Sequence, residues 1–424
     1  MGGDDLDRRI LDRRDDLVEL TRTLVQIPTV NPPGEGYEAC ARLLARRLER
    51  RGFEVRMLRA KGAVGDSNRY PRTNVIGRIE GRGPGACVHF NGHIDVVQAG
   101  QGWTVNPFAG VVHDGRLYGR GSCDMKGGLA AAVIAVETIL EAGIPFNGAL
   151  EISGTVDEES GGYAGVAWLA RQGLFSKPRV DHVIIPEPLD VDRVCIGHRG
   201  VWWAEIETFG RIAHGSMPFL GDCAIRHMGA FMNRIERQLM PRLASRQTAM
   251  PVVPPGARQS TLNLTALHGG LAEDADGLPS PVVPDSCRLL LDRRFLLEED
   301  LAAVKQEVRD VLEQLARDRP RFRYRIRDVT EVLPSQTRPD APVIGAVAGE
   351  IRRVLERAPT LVASPGTYDQ KHISRIGGLD DCIAYGPGIL ELAHQPDEYV
   401  VIDDLVASAR VMAGAALTLL GAGA

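Results

Sequence analysis

Four short, mainly apolar runs set the fold class of this 424-residue chain: Thr73–Ile79, Ala86–Asn91, Ala149–Val156 and His182–Ile185. Each is too brief for a typical helix and reads as a strand buried in a sheet. Helical patterns at Gly128–Ala142 and Tyr163–Gln172 lie between the later runs, and amphipathic helices at Leu6–Val25 and Tyr37–Arg51 precede the first. Strands alternating with helices predict an α/β sandwich around a largely parallel sheet. Such sheets carry their sites in loops at the carboxyl ends of the strands.

The pattern changes after Cys195. Trp202–Phe209 alternates as a strand, Asp222–Met240 is helical, and Ser260–Leu267 and Ser286–Phe295 are strands. Glu298–Arg317 then reads as a helix and Phe322–Val329 as a last strand. The order β-α-β-β-α-β is the ferredoxin-like arrangement. Residues 197–330 are therefore expected to form an inserted second domain. The first domain, residues 1–196 and 331–424, resumes with a helix at Val343–Arg357, a strand at Cys382–Tyr385 and a helix from Asp403. A chain this long suits two domains rather than one core.

With 44% apolar and 25% charged residues and a formal net charge of -5, the chain reads as globular, with no nucleic-acid or anionic-membrane partner expected. Seven scattered cysteines without a C-x-x-C pair predict reduced thiols, neither a disulfide framework nor a thiolate metal site. The acidic start Met1–Asp5 lacks an apolar leader, and the run Leu129–Leu140 is too short to span a bilayer. A cytoplasmic protein is expected.

The chemistry-bearing residues fall in separate loops, most of them at strand ends. His93 and Asp95 lie two apart, so in an extended segment the carboxylate can orient the imidazole; alone, such a pair is usually structural. Asp124 sits among glycines before a helix, where it is either an N-cap or a bridging carboxylate. Glu158 and Glu159 are adjacent acids, ordinarily just solvated, but able to divide the work of metal ligand and general base. Glu187 stands between two prolines, and His394 follows the strand Cys382–Tyr385. Two imidazoles and several carboxylates make an N/O ligand set for zinc, cobalt or manganese. Converging loops would let them hold two ions around one shared carboxylate.

These motifs, Gly92-His93-Ile94-Asp95, Trp103–Gly128, Asp157-Glu158-Glu159 and Gly386–Val400, resemble those of the M20 metallopeptidases and amidohydrolases. That family includes acetylornithine deacetylases, succinyl-diaminopimelate desuccinylases, aminoacylases and glutamate carboxypeptidases. The resemblance spans nearly the whole chain. It implies His93, Asp124 and Glu187 around one ion, and Asp124, Glu159 and His394 around the other, with zinc foremost. It also implies Glu158 as general base, Asp95 as partner of His93, and an inserted lid through which homodimers form. Ala213–Pro218 resembles the lid motif, whose histidine, here His214, stabilises the oxyanion. Asn263 and Arg294 fall near lid positions that contact substrate; otherwise they are an edge-strand polar residue and a surface charge.

Two segments depart from the pattern. The lid motif continues Gly221-Asp222-Cys223-Ala224 in place of Gly-x-Asn-Ala. The segment Gly366–His372 is unusually polar: Asp369 and His372 either line a substrate pocket or belong to a helix start capped by Thr367. The resulting expectation is hydrolysis of an amide C–N bond in a small polar molecule, such as an N-acyl amino acid or dipeptide, by a metal-activated water with Glu158 as base. The alternatives are another C–N bond, as in deamination of an aromatic amine or deformylation, and a non-catalytic metal-binding or scaffold protein on the same fold.

Overall fold

The computed structural model describes residues 3–270 and 281–422. Met1 and Gly2, on which the reading of the N-terminus partly rests, residues 423–424 and residues 271–280 of the expected second domain lie outside the described residues. The chain folds as two compact units. The first comprises Met1–Gly197, Thr337–Val362 and Tyr368–Ala424, and the second His198–Gln336 and Ala363–Thr367. The second unit thus runs past residue 330, because its last strand, Arg323–Val332, is longer than its apolar pattern. It also includes residues 363–367. There the Val253 N–H donates to the Ala363 carbonyl, Ala363 N–H donates to that of Pro251, and Arg199 bonds the Pro365 carbonyl.

The first unit is built on a large sheet that is mixed rather than largely parallel. Its strands follow the order Glu54–Arg59, Thr73–Glu80, Ala149–Thr155, Cys87–His93, His182–Ile185, Cys382–Ala384 and Arg193–His198. Ala149–Thr155, Cys87–His93, His182–Ile185 and Cys382–Ala384 run parallel, whereas the pairings outward from them are antiparallel. Direction was not readable because Thr73–Glu80 buries its first five residues much as the parallel strands bury theirs. The central strands Cys87–His93 and Ala149–Thr155 are buried throughout, as strands covered on both faces must be.

Helix Gly127–Glu141 covers one face and is buried from Gly127 to Ile139, packing mainly alanine, valine, leucine and isoleucine. It meets helix Ile402–Leu419, which also packs on Pro342–Leu355. The expected single N-terminal helix is two, Gly3–Asp12 and Arg14–Val25. Arg13 at the break turns its guanidinium to the fully buried Glu137 and to Asp16.

The second unit orders its elements β-α-β-β-α-β around a four-stranded antiparallel sheet: Thr261–Gly269, Ser286–Phe295, Gly200–Phe209, Arg323–Val332. Here burial alternates, with Cys287, Leu289, Leu291, Arg293 and Phe295 inward. Helices Ala224–Arg234 and Leu301–Asp318 cover that inner face, the latter capped by Asp300 accepting from the Ala303 N–H at 3.0 Å. None of the seven cysteines is in a disulfide. No helix among the described residues is long and apolar enough to cross a membrane.

Gly128 shows how tightly the covering helix meets the sheet. A Cβ there would fall inside the van der Waals envelope of the Pro186 carbonyl oxygen, on the peptide just before Glu187. Backbone cannot give way as a side chain can, so Gly128→Ala is expected to cost about 1–3 kcal/mol. A chemical denaturation curve within a few tenths of a kcal/mol of wild type would contradict this packing.

Candidate metal centre

The parallel strands deliver the acids and imidazoles to one place. His93 ends strand Cys87–His93, Glu158 and Glu159 follow Ala149–Thr155, Glu187 follows His182–Ile185, and His394 lies in the loop beyond Cys382–Ala384. Asp124 belongs to the irregular turn Ser122–Lys126, ahead of helix Gly127–Glu141. Its carboxylate lies between two imidazoles. Oδ1 is 3.1 Å from His93 Nε2 and Oδ2 is 3.3 Å from His394 Nε2. Glu187 Oε1 stands 3.9 Å from His93 Nε2, and Glu159 Oε2 3.1 Å from His394 Nε2. The ligand atoms of His93, Asp124 and Glu159 all lie within 4.8 Å of one another.

Hydrogen bonds set the tautomer of His93. Its Nδ1 is 3.0 Å from the backbone carbonyl of Asp95, an acceptor only, so in the neutral ring Nδ1 carries the proton and Nε2 keeps the lone pair that a metal would take. The Asp95 carboxylate is farther off, 3.6 Å from Nδ1. It accepts instead from Asn31 Nδ2 at 3.0 Å and from the backbone N–H groups of Glu158 and Glu159 at 3.2 and 3.1 Å. The expected carboxylate thus stays beside the imidazole at ion-pair distance, while the shorter contact is made by the backbone carbonyl of the same residue. His394 is half-exposed and has φ +65°, a left-handed conformation uncommon outside glycine and asparagine. Such strain persists where surrounding structure imposes it, and it accumulates at functional sites.

The electrostatics are those of a cation-binding cluster. Burial pushes Glu159 up to about 7, with the Asp124 charge adding to it. Burial and the same neighbour raise Glu187 well above the carboxylate range. Asp124 moves the other way: burial would raise it, but hydrogen bonds from His394 and His93 outweigh that and lower it. Those bonds hold His394 up to about 10, and hold His93 above its ordinary value despite burial. Protons here do what a divalent ion does better, since it neutralises several carboxylates at once while leaving the imidazoles neutral. The residues present therefore fit such ions: two imidazole nitrogens and three carboxylates, with one carboxylate facing both nitrogens.

Glu158 stands apart from the imidazoles and pairs instead with Lys371, whose Nζ is 2.6 Å from Oε1. Asp369 is buried, accepts from Asn91 Nδ2 at 3.1 Å, and is pushed by burial up to about 7 against the pull of Lys371. His372 is lowered to about 4 by burial and by the Lys371 charge, and its Nε2–H donates to the Gly161 carbonyl at 2.6 Å. Both expected substrate contacts are thus bonded to protein groups. Helix Gln370–Arg375 does begin here, without a side-chain cap. His214, Asn263 and Arg294 lie in the second unit. His214 and Asn263 are exposed, and Arg294 is held by Asp292 on its own strand at 2.7 and 3.0 Å.

Residues that the motifs did not single out complete the site. Glu398 is fully buried, and its Oε1 accepts from the backbone N–H groups of Gly121, Cys123 and Asp124 at 2.9, 2.9 and 3.1 Å. Its Oε2 pairs with Arg120, which is also buried. Glu398 closes the run His394–Glu398, so its proximity to a candidate ligand was the available signal. Lys371 and Asn31 had none beyond their polar surroundings.

Residues 89–418 match the family described as peptidase family M20/M25/M40. The chain is 32% identical over 408 residues to a succinyl-diaminopimelate desuccinylase from Methylobacterium radiotolerans, covering 92% of this chain and 93% of that protein. It is 27% identical over 435 residues to the N-formyl-4-amino-5-aminomethyl-2-methylpyrimidine deformylase of Bacillus subtilis, covering 96% and 95%. Among solved structures, human carnosine dipeptidase 1 superposes with a TM-score of 0.79 at 18% identity, over 99% of each chain. A dinuclear metal-binding M20 peptidase from Bacillus subtilis gives 0.68 at 16% identity, over 96% of this chain and 99% of that one.

The Glu398 acceptor generates a prediction. Glu398→Ala removes the group that gathers the N–H donors around Asp124 and should weaken divalent-ion binding about 10- to 100-fold, the usual effect of losing a group that orients a ligand. Titration of the metal-free protein with zinc, alongside circular dichroism to check the fold, reads the effect. Wild-type affinity in a folded variant would detach Glu398 from the site.

Proposed function

The chain belongs to peptidase family M20/M25/M40, and from that premise we propose that it hydrolyses the amide bond of an N-acylated amino acid or dipeptide, with Glu158 as general base. As a member of that family it is a metallohydrolase of C–N bonds that uses divalent ions and acts on small molecules, so the non-catalytic alternative falls away. The observation carrying the finer reading is the Asp124 carboxylate, which offers one oxygen to each of two imidazole nitrogens. On this reading His93, Asp124 and Glu187 hold one ion and Asp124, Glu159 and His394 the other. The donor set favours zinc, with cobalt or manganese next.

Bound there, the ions would polarise the substrate carbonyl and acidify a water. The chain supplies the remaining steps. Glu158, with Oε1 tied to Lys371, takes the water's proton on Oε2 as the water oxygen bonds to the carbonyl carbon, and passes that proton to the leaving nitrogen as the C–N bond breaks. Asp95 holds the Glu158–Glu159 backbone in place. His214 suits an oxyanion donor: its Nδ1 accepts the Ser216 N–H at 3.2 Å, so a neutral ring carries its proton on Nε2. Asn263 and Arg294 of the same unit are candidate substrate contacts.

The β-α-β-β-α-β order of the second unit supports reading it as a ferredoxin-like lid and dimerisation domain. Exposed Ile212, Phe219 and Leu220, at 54%, 74% and 52%, are apolar groups that a partner subunit would cover. Light scattering should return a dimer mass that Phe219→Asp reduces to a monomer; a monomeric wild type would exclude the dimer. A second reading, deformylation of an aryl or heteroaryl formamide, is favoured by the deformylase relative, which aligns over nearly the whole chain.

The test is a panel of N-acetyl and N-succinyl amino acids, dipeptides and aryl formamides, scored by amine release. Chelation should abolish turnover and added zinc, cobalt or manganese restore it. Glu158→Ala should keep its fold and metal yet lose roughly 10²–10⁴-fold in kcat. Near-normal turnover in that variant would remove Glu158 from the role of base.

A further inference from the structure

Lys371 brings an ammonium into the interior next to the proposed base. Its side chain is 3% exposed, and its one hydrogen bond among those described is to Glu158 Oε1, at 2.6 Å. An ammonium in such surroundings is costly unless paired, so this placement has to be enforced by what surrounds it. The enforcement is visible on either side of Lys371. Gln370 donates from Nε2 to Thr337 Oγ1 at 2.8 Å and to the Cys382 carbonyl at 2.9 Å, while Tyr368 donates its hydroxyl to Gln370 Oε1 at 2.7 Å. His372 then fastens the same short helix to the Gly161 carbonyl, on the loop that carries Glu158. The helix and the base-bearing loop are thus bonded together at Lys371–Glu158 and at His372–Gly161.

The pairing is selective. Asp124 and Glu159 face imidazole nitrogens at hydrogen-bonding distance, and Glu187 stands 3.9 Å from one. Glu158 is the acid that meets an ammonium instead, and it is the one the proposed function leaves off the metal. A base must keep one oxygen free and aimed at the water, and must not swing onto a neighbouring ion. We infer that Lys371 is a positioning residue for this reaction: it pins Glu158 Oε1 and so leaves Oε2 to take the proton from water. Lys371 itself exchanges no proton in this scheme. The inference rests on the reading of Glu158 as general base.

The experiment uses metal-loaded enzyme and the amide that the panel shows is cleaved fastest. Lys371→Met, of similar length and uncharged, should lower kcat roughly 100-fold, the scale of a small misplacement at a reacting centre, with KM, metal content and melting temperature unchanged. Because Lys371 acts through Glu158, Lys371→Met combined with Glu158→Gln should be no slower than Glu158→Gln alone. A wild-type kcat in Lys371→Met, or losses that multiply in the double variant, overturns the inference. If Lys371→Met does not fold, Lys371→Ala with added propylammonium replaces it: recovered kcat supports the inference, and no recovery in folded, metal-loaded protein overturns it. A nearly normal Glu158→Ala would fail the underlying reading instead, so the two failures are distinguishable.

Discussion

Two buried carboxylates that touch no imidazole nitrogen at hydrogen-bonding distance hold the centre together by accepting backbone N–H groups. Glu398 gathers the amides of Gly121, Cys123 and Asp124. Asp95 gathers those of Glu158 and Glu159. Loops have no ladder to satisfy their amides, and a buried amide without an acceptor is costly. A carboxylate oxygen can accept several such amides at once, and it sets loop shape and side-chain direction together. The placement of the candidate ligands therefore depends on acids that stand outside the candidate ligand set.

The sheet provides the coarser positioning. Its parallel strands end on the same side, so His93, Glu158, Glu159, Glu187 and His394 are brought together though scattered along the sequence. That much was legible, because imidazoles and paired acids just beyond apolar runs are conspicuous. The sheet's outer antiparallel pairings were not, since a buried strand has the same composition in either direction. The β-α-β-β-α-β order of the second unit was legible from its alternation, a clearer signal than the uniform burial of the central strands.

At the centre itself, side-chain identity was readable and partnership was not. Asp95 was expected to face His93 because residues two apart share a side of a strand; its carboxylate does lie 3.6 Å from the ring, but the hydrogen bond there is accepted by its backbone carbonyl, and the carboxylate also serves another loop. Lys371 and Glu158 are 213 positions apart, and nothing local to either announces the other. Asp369 and His372 stood out for their polarity, which reflects bonds to Asn91 and Gly161. Polar residues in an apolar setting signal a site, but their hydrogen bonds, which depend on the whole fold, decide the role of each.

Glu398 has a further consequence, for how the protein is made. It lies 274 positions beyond Asp124, whose loop it organises. A growing chain that has already released His93, Asp124, Glu159 and Glu187 from the ribosome still lacks the acceptor for the amides around Asp124, and lacks His394 as well. The loop around Asp124 therefore reaches its final shape only once the segment bearing Glu398 has folded against it, a long-range contact that must overcome a large loop-closure entropy before it forms.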